Sequence, residues 1–302
     1  MNIRVIANRG GGTLQTGNGD DDAAHERIAA AFASVAVDAD VRLTEPEDLA
    51  GAFAEAARAP GLDAVVAGGG DGTISCAAGA LAGTDRPLGI LPLGTLNHLA
   101  RDAGIPTALD KAAALIATGT ARAIDLGEVN GRIFVNNSSV GLYPDMVRLR
   151  EAQQGRSGRG KRLAMLWASF ASLRSFRRHR LWISAPGLEA PLRTPLLFIG
   201  NNRYQVNLLA LGQRTRLDEG VLCLYAIRAR GRAHLFWAGI RGIFGKLDQQ
   251  RDFLTFYVGE VEVSSDRPLL TVSVDGETAR METPLRYRIR PAALRLIAPP
   301  ER

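Results

Sequence analysis

The stretch VVAGGGDGTISCAAGAL, residues 65–81, runs from an apolar segment into a turn of Gly68, Gly69, Gly70 and Gly72 around Asp71, and then into a small-residue helical segment. A glycine-rich turn between strand and helix lets backbone N–H groups and the positive end of the helix point at an anion, because no Cβ blocks close approach. Phosphate is the usual guest. The pattern is neither GxxxxGK[ST] nor the dinucleotide fingerprint with its downstream acid. Asp71 is the informative departure, since a carboxylate inside such a turn repels phosphate unless it holds a cation or accepts a hydrogen bond. Mg²⁺ beside phosphates would account for it. The glycines alone also allow a ligand-free tight turn of an α/β sheet.

Working outward, the first 125 residues alternate between strand and helix patterns. Ile3, Val5 and Ala7 start a strand ending at Asn8, and a small-residue helix follows from about Ala23 to Val35. Thr44, with Glu45, Pro46 and Glu47 behind it, has the signature of a helix start, with the helix reaching about Arg58. DAVVA feeds the glycine turn, after which a helix is expected from Ile74 to about Leu81. LGIL (88–91) leads to a second strand-to-helix junction, LPLGTLNHLARD (91–102), with Leu96 to Ala103 helical and Gly104 as the stop. This rhythm predicts a parallel sheet with helices on its faces. Adjacent strand ends of such a sheet converge on one crevice, so the two junctions together with Asn8 outline a nucleotide cleft. Capping alone also explains Thr95 and Asn97.

Beyond residue 125 the chain reads as mainly β. Asn130-Gly131 between extended segments is a hairpin signal. LWISA, LRTPLLFIG, VLCLYAI, LTFYVGEVEVSS, LLTVSVDGE and LRYRIR are rich in β-branched and aromatic residues. Two domains are expected, 1–125 and 126–302, with the C-terminal strand free to return to the first.

The 302 residues, 46% hydrophobic and 23% charged, are enough to bury a sizeable core. The excess of six basic over acidic residues favours an anionic partner without choosing among phosphate compounds, anionic lipid and nucleic acid. Cys76 and Cys223 stand far apart among apolar neighbours, which reads as packing, not a disulfide or metal site. No run of about 18 apolar residues is present and the opening MNIRVIANRGGG lacks a secretory apolar region, so a cytoplasmic protein is expected.

GGGDGT (68–73), PLGTLN (92–97), LDEG (217–220) and VDGE (274–277), in that order, resemble the diacylglycerol kinase catalytic family. Its members include soluble bacterial lipid kinases; they also resemble sphingosine kinases and share a distant GGDGT turn with NAD kinases and phosphofructokinases. The resemblance implies an α/β nucleotide-binding domain followed by a β-sandwich, with the active site in the cleft between them. It implies ATP bound by Asn8, Thr44, Gly69, Gly70, Asp71, Gly72, Thr73, Ile74, Ser75, Gly94, Thr95 and Asn97. Asp71 would fix Mg²⁺, directly or through water. Asp275 or Glu277 would accept the proton of the attacking hydroxyl; the two share a face if VDGE stays extended, whereas Gly276 can instead make a turn. Relatives carry a second, structural Mg²⁺ bound partly through backbone carbonyls, at positions occupied here by Arg216, Glu219 and Val221. Three departures stand out: Glu219 replaces the usual aspartate, Asn8 is followed by Arg-Gly-Gly-Gly, which adds a cation near the phosphates, and His98 follows Asn97 where many relatives have aspartate. His98 is expected on a helix surface.

Between Arg148 and Arg180 ten basic residues face one acid, Glu151, and Leu163, Leu166, Trp167, Phe170 and Leu173 fall at helical spacing. A basic amphipathic helix suits an anionic membrane surface, and RARGRAHLFWAGIRGIFGKL (228–247) would widen it; packing of both stripes on the sandwich is the alternative. The expected activity is therefore an ATP-dependent kinase acting on a lipid hydroxyl, peripherally membrane-associated, with the acceptor left open between diacylglycerol-like and sphingoid-like lipids. A non-catalytic, nucleotide-responsive membrane-binding protein is the competing class. No nucleic-acid reading module is recognisable, and a homodimer is compatible with the sequence.

Overall fold

The computed structural model describes residues 1–10, 21–141, 179–204, 214–227 and 253–300. The basic segment up to residue 178 and the 228–247 stretch lie outside the described residues.

The apolar runs of the first half form parallel strands β1 (Ile3–Asn8), β2 (Ala39–Thr44), β3 (Ala64–Gly69) and β4 (Leu88–Pro92), in the order β2-β1-β3-β4. Every residue of β3 and β4 is buried, as expected of strands covered on both faces. One face carries α1 (Asp21–Ala33) and α5 (Leu109–Thr118), packed through Ile28, Phe32, Ala112 and Ile116. The other carries α2 (Leu49–Arg58), α3 (Asp71–Leu81) and the short α4 (His98–Asp102), packed through Phe53, Ile74, Leu81 and Leu99.

From β5 (Thr120–Val129) onward the chain is β. Asn130 and Gly131, both with positive φ, turn it into β6 (Arg132–Phe134) as the Asn-Gly pair predicts. Strands β7 (Asn137–Gly141), β10 (Leu196–Asn201), β11 (Leu222–Ile227), β12 (Phe253–Val258), β14 (Leu269–Val274) and β15 (Glu277–Glu282) make a six-stranded antiparallel sheet, ordered β12-β11-β10-β7-β14-β15. Strands β8 (His179–Ala185), β9 (Leu188–Thr194) and β13 (Glu260–Ser265) instead extend the first sheet. The two sheets close on Phe134, Val140, Ile183, Ile199, Leu224, Val263, Val272 and Tyr287. Two stretches that look continuous in sequence are each divided between the sheets: LRTPLLFIG at Pro195, where Thr194 Oγ1 staples the corner to Leu196, and LTFYVGEVEVSS at Gly259.

The last strand, β16 (Leu285–Ala298), joins both halves. It pairs with β13 through residues 285–288, with β5 along most of its length, and in parallel with β4 at Leu296. Its register shifts between Arg290 and Leu294, around Pro291 and a left-handed Ala292.

Candidate active site

The glycine turn is shorter than the sequence predicts, because the helix starts at Asp71 and not at Ile74. Gly70 is extended, with φ −89° and ψ −172°, and its carbonyl accepts the first helical bond, from Ile74 N. The N–H groups of Asp71, Gly72 and Thr73 therefore precede the first helical hydrogen bond, at the positive end of an 11-residue helix. Thr73 folds back over the turn: its Oγ1 accepts a hydrogen bond from Asn8 Nδ2 at 3.1 Å and would lie 2.5 Å from any Cβ on Gly69. Asn8 Oδ1 accepts Gly10 N at 2.9 Å, and Asn8 pairs across the sheet with Thr44. Thr44 ends β2 instead of capping a helix; α2 begins at Leu49 behind a turn closed by Asp48 N on the Glu45 carbonyl. Ile74 is a core residue whose N–H is spent within the helix.

The second junction presses on the first. Gly94 and Gly70 meet backbone to backbone, and a Cβ on Gly94 would overlap Gly70 Cα. Asn97 is left-handed, φ 50° and ψ 51°, with its amide turned into its own loop: Oδ1 accepts Gly94 N at 3.1 Å, and Nδ2 donates to the Gly94 and Pro92 carbonyls. That conformation moves the start of α4 from the expected Leu96 to His98, while Thr95 and Leu96 stay exposed. His98 is half-buried, and its N–H donates to Asp71 Oδ1 at 2.6 Å, so the aspartate of the first junction caps the helix of the second. Asp71 Oδ2 has no partner among the described residues. Arg9, expected as a cation beside the phosphates, instead pairs with Glu45 at 2.6 Å and Asp21 at 3.1 Å.

The VDGE stretch does not stay extended. Asp275 and Gly276 have φ 47° and 89°, a two-residue turn between β14 and β15 that separates the two acids. Asp275 sends its carboxylate inward onto four donors: Ser75 Oγ at 2.6 Å, and the N–H groups of Val135 at 2.7 Å, Asn136 at 2.8 Å and Asn137 at 3.0 Å. Burial pushes the Asp275 carboxyl above its ordinary range, opposed by Ser75 and the three N–H groups. Glu277 is 65% exposed, pairs with Arg132 Nη2 at 2.6 Å, and stands 3.7 Å from where a Cβ on Gly72 would lie. Residues 72 and 75 lie on the side of α3 that meets the β14–β15 turn, so that turn stands directly beside the helix that follows the glycine turn.

The positions expected to hold a second cation lie in the irregular segment between β10 and β11. Arg216 makes a two-pronged pair with Asp218, 3.0 Å on each arm, which draws the Asp218 carboxyl below its usual range. Glu219 Oε2 accepts Arg203 N at 2.9 Å, and the Val221 carbonyl accepts Asn202 N at 2.9 Å. Among the described residues no group of three or more His, Cys, Asp or Glu is arranged for a metal ion. The loop is tied down by Asp125, a buried residue that the sequence reading passed over: Oδ2 accepts Gly220 N at 2.7 Å and Oδ1 accepts Ala292 N at 2.9 Å. Asp71 is a different case, since one unpartnered carboxylate oxygen suits Mg²⁺, which is held by few carboxylates together with phosphates and waters. No helix among the described residues is long and apolar enough to cross a membrane.

Comparison with known proteins agrees with this layout. Residues 2–129 match the diacylglycerol kinase catalytic domain, and residues 144–298 match the YegS C-terminal NAD kinase beta sandwich-like domain. A "probable lipid kinase YegS-like" of Pseudomonas fluorescens is 34% identical over 269 residues, 87% of this chain and 86% of the relative. Its counterpart in Pseudomonas aeruginosa PAO1 is 34% identical over 266 residues, 86% and 84% of the two chains. In fold, a crystal structure of a diacylglycerol kinase from Bacillus anthracis aligns with TM-score 0.70 at 19% identity, covering 99% of this chain and 97% of that one. Yeast NADH kinase complexed with NADH aligns with TM-score 0.53 at 12% identity, covering 98% and 82%.

Proposed function

The chain belongs to the diacylglycerol kinase catalytic family, whose members are lipid kinases, and from that membership we propose that it transfers the γ-phosphate of ATP to a hydroxyl of a diacylglycerol-like or sphingoid-like lipid at a membrane surface. Phosphoryl transfer depends on positioning and charge stabilisation far more than on covalent help from the protein. The free N–H groups of Asp71, Gly72 and Thr73 and the exposed Thr95 face the side of the crevice that suits the triphosphate, with Asn8 and Thr44 at the neighbouring strand ends. Asp71 would hold Mg²⁺, which when bound would supply positive charge to neutralise the phosphates.

Of the two late acids, Glu277 suits the proton acceptor and Asp275 suits the brace. All four partners of Asp275 donate to it, so its lone pairs are engaged. Glu277 is exposed beside Gly72 and needs only to release Arg132 to meet a hydroxyl. The lipid oxygen attacks the γ-phosphorus, its proton passes to a Glu277 carboxylate oxygen, and ADP departs. The observation that carries this reading is the direct Ser75–Asp275 hydrogen bond, which fastens the acceptor-side turn to the phosphate-side helix. The basic segment 148–180 supports action at an anionic surface, where each nearby Lys or Arg contributes about 1 kcal/mol.

The test is incubation of purified protein with Mg²⁺, ATP and a broad lipid panel, with mass spectrometry of the products. Phosphorylated lipid from wild type, lost in Asp71→Ala and Glu277→Gln, is the expected result. If no lipid is phosphorylated while ATP alters liposome binding without being hydrolysed, the non-catalytic reading replaces this one.

A further inference from the structure

Arg214 places a full positive charge in the protein interior. Its side chain is 0% exposed and that of its partner Asp102 7%. Every arm of the guanidinium is used: Nε donates to Asp102 Oδ2 at 2.7 Å, Nη1 to the carbonyls of Val135 at 2.7 Å and Asn201 at 3.3 Å, and Nη2 to Asn136 Oδ1 at 2.8 Å. Its Cζ lies 5.3 Å from the centroid of the Tyr204 ring. A buried charge is costly unless its geometry is complete, and a buried ion pair that merely filled space would be replaceable by apolar groups at little loss. Here four protein oxygens, one from a carboxylate, accept from the three nitrogens of one guanidinium, so the buried charge is fully partnered.

These contacts belong to a closed ring. Asp102 ends α4, and four residues earlier His98 N–H reaches Asp71. Four residues after Asp71 in α3, Ser75 reaches Asp275. Asp275 accepts the N–H groups of Val135, Asn136 and Asn137, and the oxygens of Val135 and Asn136 return to Arg214. The ring passes through both phosphate-side junctions and the acceptor-side turn, and Arg214 supplies its one buried cation among the described residues. The neighbouring 216–221 loop is held by Asp125, Asn202 and Arg203.

We propose that Arg214 is a positioning residue for phosphoryl transfer: its buried guanidinium holds the β14–β15 turn in register with the glycine turn. The catalytic half of this inference rests on the lipid-kinase reading above, whereas the integrity of the ring does not. Two measurements separate them. Arg214→Lys keeps the charge and can still meet Asp102, but a single ammonium cannot span the fork. Its kcat is expected to fall about 100-fold with KM for ATP within about twofold, as a misplacement near 1 Å would produce; unchanged kcat, or an equal loss confined to KM, overturns positioning. Amide exchange at residues 135–137 is expected to quicken about tenfold or more in the same variant, and unchanged protection overturns the ring even if wild type phosphorylates no lipid. If Arg214→Lys does not fold, Asp102→Asn, which keeps an acceptor oxygen and loses the charge, is scored by the same readouts.

Discussion

Replacing Gly94 by alanine tests whether the two strand–helix junctions act as one phosphate cradle. The added Cβ would overlap Gly70 Cα and fall 2.8 Å from Asn97 Oδ1 and 3.3 Å from Gly70 N. Comfortable carbon contacts begin near 3.5 Å, so the junctions must separate by roughly 1 Å, and since backbone faces backbone no side chain can rotate away. Overpacking of this kind costs about 1–3 kcal/mol, which lowers the melting temperature by about 2–4 °C per kcal/mol in a protein of this size. A shift near 1 Å at the phosphate-binding edge is expected to reduce kcat/KM for ATP by about 10- to 100-fold. The same contact approached from the other side is benign: a Cβ on Gly70 would lie 3.5 Å from Gly94 Cα, so Gly70→Ala is expected to melt like wild type. Gly51→Ala, in the first turn of α2 with nothing within 4 Å, is expected to raise stability by up to about 1 kcal/mol and leave kinetics unchanged. The assays are thermal melts and initial rates against ATP concentration. Wild-type kcat/KM in Gly94→Ala would refute the coupling of the two turns.

Asp275→Asn leaves an amide donor facing donors and is expected to lose about 1–3 kcal/mol in urea melts, whereas Glu277→Gln, being exposed, melts like wild type while losing turnover; equal destabilisation of the two would contradict their division into brace and base. Burial pushes the Cys223 thiol up to about 11 from an ordinary value of 9.0, so the folded state keeps a proton that the unfolded state releases. That contribution to stability is fully present below pH 9 and is lost as pH climbs through 11, by about 3 kcal/mol in all, and urea melts of Cys223→Ala across that range should lack this component of the slope. Gly127→Ala would drive a methyl into the Phe134 ring across the β5–β6 pair and is expected to cost about 1–3 kcal/mol by chemical denaturation.

Strand and helix periodicity made the layered first half legible, and Asn130-Gly131 announced its hairpin in two residues. Legibility failed where tertiary contacts decide backbone conformation. Asp71 joins α3 because its carboxylate finds His98 N, a partner 27 residues away. Asn97 goes left-handed because its amide completes a loop, which no local propensity encodes. Pro195 and Gly259 divide runs of uniform β character, since neither residue alone says that the next strand belongs to another sheet. In the candidate site the motif residues stood out by composition, and in the fold Ser75 meets Asp275 while Gly72 lies beside Glu277. Asp102, Asp125 and Arg214 did not stand out: a charged residue in a polar loop is normally solvated, and only the assembled fold reveals that these are enclosed.

Strand β16 sets a mechanical limit on how the enzyme works. Kinases often admit substrate by swinging two lobes about a flexible hinge, but here one 14-residue strand is bonded to the sandwich at its start and to β4 near its end. It acts as a tie-rod between the halves, interrupted by the register shift between Arg290 and Leu294, where Asp125 holds Ala292. Any change in how the two halves sit would therefore have to bend β16 or break its pairing with β4, β5 or β13.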